Sequence, residues 1–203
     1  MKKNNWTFIL SVVTTVFSML FFVGCGCKEE TVRYFLNSYE KSIIPYNQTK
    51  LLEYKNENGE IIGAIASKKE VLEVNLNSSD DEGCFSTIIE SEFFDLSFNN
   101  LNKNLFVKIE KTYNNKTTFE IRDNNIEGQV PSYLYTLDNL DVQISEQDLT
   151  NISIDGFEYI GVFVFKLSPN SINTESKFET IVFSPQQGIV HLKIRSGGYL
   201  KLN

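Results

Sequence analysis

An all-β fold, an antiparallel sandwich or a curved open barrel with few short helices, is what the sequence predicts. Three observations carry it. Apolar and polar residues alternate at period two in segment after segment, turn signals recur roughly every ten residues, and no segment sustains a 3.6-residue period over several turns.

Arg33–Tyr39 reads as one short helical turn, ended by Pro45. Leu51–Lys55 and Glu60–Ile65 flank Asn58-Gly59, a hairpin signal, because Asn-Gly tolerates the positive φ that a tight turn needs. Leu72, Val74 and Leu76 alternate with Glu73 and Asn75, which predicts a strand with one wet face. Phe94, Leu96 and Phe98 alternate with Asp95 and Ser97 in the same way.

Leu105, Val107 and Ile109 oppose Lys108 and Glu110, and after Tyr113-Asn114-Asn115-Lys116 the pattern resumes at Phe119 and Ile121. These segments predict a hairpin pairing Leu105–Lys111 with Thr117–Arg122. Ser145–Thr150 reads as a second helical turn, with Ser145 as cap and Asp148 as its reciprocal partner. Ile152 and Ile154 lead through Asp155-Gly156 into the long apolar run Phe157–Leu167. Val190, Leu192 and Ile194 alternate with His191, Lys193 and Arg195, and Gly197-Gly198 turns the chain into Tyr199–Leu202. Gln129-Val130-Pro131 and Ser168-Pro169-Asn170-Ser171 read as loops, since proline and small polar residues do not continue a ladder.

The amino terminus has a different organisation. Met1-Lys2-Lys3 is a basic start, Thr7 to Val23 is uncharged and mostly apolar, and Phe22-Val23-Gly24-Cys25 closes it with a small residue before a cysteine. That order is the layout of a secretory signal peptide. With a cysteine at the cleavage point it resembles the lipobox of bacterial lipoproteins. The resemblance implies diacylglycerol on Cys25, cleavage before it and acylation of the new amino terminus. The other readings are an uncleaved anchor or an ordinary signal peptide. The apolar run, diluted by Thr7, Ser11, Thr14, Thr15 and Ser18, is shorter than the ~20 residues of a spanning helix. Residues 1–24 are therefore expected to be the signal peptide, 25–31 an acylated tether and 32–203 a single all-β domain. Two or more acyl chains would hold it stably on a membrane. Lys28-Glu29-Glu30 resembles the short acidic run behind the lipidated cysteine that directs Bacteroidota lipoproteins to the cell surface; its plain reading is a polar spacer.

Charge and cysteine count exclude several functions. The chain carries 19 basic and 26 acidic side chains, formally −7, and loses Lys2 and Lys3 with the signal. Such a body is not built to neutralise nucleic-acid phosphates. It is equally unsuited to an anionic membrane surface. With Cys25 acylated, Cys27 and Cys84 are the two cysteines left to pair in an oxidising compartment, and free thiols are the alternative.

No metal or cofactor residues are assigned, because the spacing of His and Cys ligands is absent. Asp80-Asp81-Glu82-Gly83 lacks the spacing of an EF-hand calcium loop and reads as a solvated acidic turn. His191, the single histidine, sits by alternation on the face of Lys193 and Arg195, and so is expected to be exposed and dispensable. No Gly-x-Ser-x-Gly elbow or His-Glu-x-x-His motif occurs, and no catalytic residue is assigned.

Ile44-Pro45-Tyr46 ahead of Leu51–Glu60, Ile154-Asp155-Gly156-Phe157-Glu158-Tyr159-Ile160-Gly161-Val162, and Ile181-Val182-Phe183-Ser184-Pro185-Gln186-Gln187-Gly188 together resemble segments of small lipoproteins of Bacteroidota. Phe183 and the Tyr199-Leu200 end depart from that group's usual residues. The resemblance implies location and fold, and no reaction. The expected role is that of a membrane-anchored, outer-membrane or surface lipoprotein with a non-enzymatic envelope or interaction function, its partners the membrane through lipid and an unknown envelope protein. The alternative is a carrier of lipid or another apolar ligand in an open-barrel cavity, for which the Phe-rich strands are suited. Third is a hydrolase with an unlocated carboxylate pair. Glycan binding is disfavoured, since the sole tryptophan, Trp6, lies in the signal segment.

Overall fold

The computed structural model describes residues 30–80, 83–99, 101, 103–125, 133–137, 144–167 and 177–203. Cys25, Cys27, the core of the Asp80–Gly83 turn, the loops 129–131 and 168–171 and the side chain of Cys84 lie outside the described residues. The chain divides into two compact units, Met1–Val32 with Asn77–Ser86, and Arg33–Leu76 with Thr87–Asn203. What is described of the first is extended strand. The second holds the core and the site.

The elements are β1 (Glu30–Tyr34), α1 (Ser38–Ser42), β2 (Lys50–Asn56), β3 (Ile61–Ala66), β4 (Glu70–Asp80), β5 (Gly83–Phe98), β6 (Lys103–Lys111), β7 (Thr117–Asn125) and β8 (Tyr133–Leu137). A 3₁₀ turn (Glu146–Asp148) then precedes β9 (Thr150–Ile154), β10 (Phe157–Leu167), β11 (Phe178–Ser184), β12 (Gly188–Ile194) and β13 (Tyr199–Leu202). The fold is all-β and antiparallel, as the alternation predicts. Pairing runs β5-β3-β2-β13-β12-β11-β10-β8-β7-β6, and β6 pairs with β5 again, so the sheet curls around one core. No helix among the described residues is long and apolar enough to cross a membrane.

The hairpins form where turn chemistry and period agree. Glu53 pairs with Gly63 and Lys55 with Ile61, while Gly59 takes the positive φ of 81° that closes the loop. Leu105 pairs with Asp123 and Lys111 with Thr117. Phe94, Leu96, Leu105, Val107, Ile109, Phe119 and Ile121 are all buried, so the predicted inward residues are the inward residues. The Phe side chains pack on one another: Phe119 lies 4.8 Å from Phe165 and 5.3 Å from Phe183, ring on edge. Such pairs add about 0.5–1.5 kcal/mol beyond area burial.

Three buried tyrosines seal the core with backbone hydrogen bonds. Tyr46 donates to the Gln187 carbonyl (2.7 Å), Tyr54 to that of Ile189 (2.8 Å) and Tyr135 to that of Phe178 (3.0 Å). Each phenol tip thereby avoids the cost of a buried unpaired hydroxyl.

Two expectations are corrected. Arg33 and Tyr34 end strand β1, and the helical turn starts only at Ser38. Asn37 sets that start: its side chain accepts from Glu40 N (2.9 Å), while the Glu40 carboxylate accepts from Asn37 N (2.7 Å). The same reciprocal cap forms at Ser145 and Asp148, as predicted. The second correction concerns β4, which forms but does not bury one face. Val71, Leu72 and Leu76 are 56%, 48% and 50% exposed. β4 pairs with β5 off the main pairing path, and alternation marks a strand without showing that anything covers it.

One end of the core is charged. Glu40 of α1 is fully buried and pairs with Lys111 Nζ at 2.9 Å, and Thr117 Oγ1 bonds to both. On β5, Glu90 pairs with Lys41 (2.7 Å) and also accepts from Leu36 N (2.8 Å), while Glu92 pairs with Lys69 (3.0 Å). Burial nonetheless pushes the Glu92 carboxyl above its usual range. These carboxylates hold α1 and the β3–β4 connection to the sheet end.

Candidate functional site

The site begins with a bend in β10. Phe163 to Lys166 lie in the main sheet, Val164 pairing with Val182 of β11. Phe157–Tyr159 instead pair with β9, with a register break between Tyr159 and Val162. Gly161 sits in the break at φ 63°, and its freed N–H is taken by the Asn151 side chain at 3.0 Å. At the tip, Asp155 (φ 50°) and Gly156 (φ 81°) make the two-residue turn for which both central residues need positive φ. The result is a β9–β10 arm standing on the outer face of the sheet. Beneath it Val162, Val182 and Val190 form a second small core with Ile152, Ile154, Tyr159 and Leu202.

His191 lies under this arm, and here the expectation of an exposed histidine is wrong. Its strand phase is as predicted, opposite Leu192, but the imidazole is 0% exposed because the arm covers that face. His191 Nε2 is 2.9 Å from Asp155 Oδ2, and Nδ1 is 3.0 Å from the Tyr159 hydroxyl. The network fixes the tautomer. A carboxylate only accepts, so Nε2 carries the proton and donates to Asp155, leaving Nδ1 to accept from the Tyr159 O–H. The ring also stacks on Tyr199 of β13, with centroids 5.4 Å apart and planes 24° from parallel.

The electrostatics keep this chain of groups neutral at its centre. Burial pushes the imidazole below its ordinary 6.5, the Asp155 carboxylate opposes that shift, and Lys201 and Lys193 reinforce it. Burial, with Asp155 and Tyr199 adding to it, pushes the Tyr159 phenol up to about 12. Tyr159 therefore stays protonated, and both imidazole nitrogens are occupied. A Tyr–His–Asp row of this kind resembles a general-base relay in outline. It is a clamp that holds the arm down.

Beside the clamp a pocket of about 330 Å³ opens between the arm tip and strands β2 and β13, lined by Phe157, Tyr199, Lys55, Lys201, Glu57 and Asn56 among others. Phe157 and Tyr199 meet edge to face at 5.3 Å. Lys201 Nζ lies 4.7 Å over the Phe157 ring. Asn56 spends its side chain on the hairpin turn, accepting from Asn58 N and Glu60 N.

Sequence reasoning singles out His191 but misses its partners. Asp155-Gly156 is legible as a turn and Tyr199 as the start of a strand, yet the Gly161 bend that brings Asp155 and Tyr159 to His191 leaves no periodic signature. The β2–β13 pairing behind the pocket joins segments far apart in the chain. Among the described residues no group of three His, Cys, Asp or Glu side chains is arranged to hold a metal. The Phe residues that suit a ligand cavity on sequence grounds, such as Phe94, Phe119, Phe165 and Phe183, are packed ring against ring. No family model matches the chain, and neither a curated protein nor a solved structure matches it.

Proposed function

We propose that this protein is a lipid-anchored lipoprotein of the cell envelope, held on the outer membrane or at the cell surface, and that its all-β body works by binding. The observation that carries the reading is the run Lys2-Lys3, apolar Thr7 to Val23, then Gly24-Cys25. It puts an acylatable thiol a few residues ahead of β1, which begins at Glu30. An acidic body, unsuited to anionic lipid headgroups, fits attachment through acyl chains better than attachment through its own surface.

A binding role is supported by the state of the one histidine. His191 is buried with both ring nitrogens engaged, and the charged residues at the core end are paired. Such groups stabilise a platform and leave surface pockets free for a partner.

Metabolic labelling with palmitate tests the anchor. The full chain should take up label and lose its first 24 residues, whereas Cys25→Ala should do neither. Label retained by Cys25→Ala and lost only in Cys27→Ala would move the attachment by two residues. Absence of label in the parent chain would overturn the reading.

A further inference from the structure

We propose that the pocket beside the His191 clamp is a binding site for a small anionic ring compound, one carboxylate-type charge carried on a ring with an apolar face. The first ground is a like-charge pair. Lys55 of β2 and Lys201 of β13 are register partners. Their Cβ atoms therefore stand roughly 5 Å apart on one face, an arrangement that destabilises a sheet unless a negative charge lies between the two ammonium groups.

Glu57 lines the same pocket. Glu57 accepts from Tyr199 N at 3.3 Å, Asp155 is bonded to His191, and Glu179 pairs with Lys193 at 3.5 Å. Among the described residues neither Lys55 nor Lys201 has a carboxylate of its own. In a chain of formal charge −7 two lysines share one face here without an ion pair, Lys201 resting over the Phe157 ring.

The second ground is the floor of the pocket. Phe157 and Tyr199 are half-buried rings at right angles, and both line it. They are held in place before any ligand arrives, Phe157 by the Asp155-Gly156 turn and Tyr199 by its stack on the buried His191. Prior ordering of this kind lowers the entropic cost of binding. A volume of about 330 Å³ is at the small end of ligand pockets and suits one ring. Aromatic floor plus paired cations thus selects a ring for its face and a carboxylate for its charge. Two sources share that chemistry, an acidic sugar and an aromatic acid.

The test uses the full chain in non-ionic detergent micelles, titrated with glucuronate against glucose and with benzoate against benzyl alcohol, and read by NMR amide shifts. Saturating shifts at Phe157, Tyr199 and Lys201 are expected with at least one carboxylate, and binding of its neutral counterpart should be weaker by about tenfold or more. Saturation by glucuronate alone assigns an acidic sugar, by benzoate alone an aromatic acid, and by both the shared chemistry. Lys55→Gln with Lys201→Gln should weaken the carboxylate about tenfold, while Lys68→Gln, at an exposed site elsewhere, should leave it unchanged. Should the double variant fail to fold, the exposed Lys55→Gln alone carries the comparison with a severalfold loss. Saturation by neither carboxylate, equal binding of the neutral partners, or unchanged affinity in the lysine variants would overturn the proposal. Palmitate labelling reads the anchor and this titration reads the pocket, so each can fail without the other.

Discussion

Tyr46 occupies the space that a side chain at Gly188 would need. A Cβ placed on Gly188 falls 2.0 Å from the Tyr46 hydroxyl and 2.5 Å from the ring carbon bearing it. The contact joins the Ile44-Pro45-Tyr46 segment to the β11–β12 turn, and the Tyr46 hydroxyl bonds to the Gln187 carbonyl beside it. Glycine is needed twice over, for the approach of the ring and for a φ of 82°.

Gly188→Ala should therefore destabilise the protein by about 2 kcal/mol or more, adding the cost of a left-handed backbone to that of overpacking. The urea midpoint checks it. Tyr46→Phe should cost only about 1 kcal/mol for the lost hydrogen bond. It should not rescue Gly188→Ala, because the ring carbons still collide. A Gly188→Ala variant as stable as the parent would contradict this packing.

A second prediction concerns the buried pair Glu40 and Lys111. Removing one member leaves the other charged and without its partner in the core, which typically costs about 3–5 kcal/mol. Lys111→Met should thus destabilise strongly. Glu40→Gln should do so too, with the added loss of a charged acceptor for Asn37 N at the start of α1. Combining Glu40→Leu with Lys111→Met should cost less than the two changes separately, since no charge is then stranded. Strict additivity in that double-mutant cycle would show that the pair does not act as a unit.

The strands are legible in the sequence because their signals are local. Leu105, Val107 and Ile109 announce an inward face by spacing alone, and the turn at Tyr113–Lys116 fixes their pairing with Phe119 and Ile121. Long-range placement is not legible. Val190 shares a phase with Leu192 in the sequence, but a register shift between Val182 and Phe183 turns it outward into the second core. Leu72, Val74 and Leu76 alternate as well as any segment, and nothing local says that β4 stays uncovered. His191 is the sharpest case: alternation gives its face correctly and its environment wrongly, because a bend around Gly161 folds a hairpin over it. Ile44–Tyr46, Ile154–Val162 and Ile181–Gly188 supply both the Tyr46–Gly188 contact and the Asp155–Tyr159 arm, contacts between segments far apart in the chain.

The arm itself can be tested at its hinge. Gly161 has a φ of 63° with open space where a side chain would stand, so Gly161→Ala acts through the backbone alone. The strain should cost about 1–2 kcal/mol. It should fall on the arm, with faster amide exchange across Ile152–Tyr159 than across β6 and β7. Uniform loss of protection over the whole sheet would mean that the arm is not a separable element.

His191 couples the fold to pH. In the unfolded chain the imidazole titrates near 6.5; in the folded protein burial sets it lower, with Lys201 and Lys193 pushing the same way and Asp155 opposing. The unfolded state therefore takes up the proton first. Stability from the neutral ring is complete above about 6.5 and is lost as pH falls from there toward the folded-state value. Burial raises Glu92, Asp95 and Asp123 instead, so their protonation favours the folded state as pH falls, against the histidine. The residue's own share is the difference between parent and His191→Gln unfolding curves. At neutral pH the parent should be more stable by about 1–3 kcal/mol, since the substitution breaks hydrogen bonds to Asp155 and Tyr159 inside a buried site. That margin should shrink as the pH drops below about 6.5, as the parent alone meets the cost of charging a buried ring. A margin that stayed constant, or widened toward acid, would mean that His191 is not held neutral under the arm.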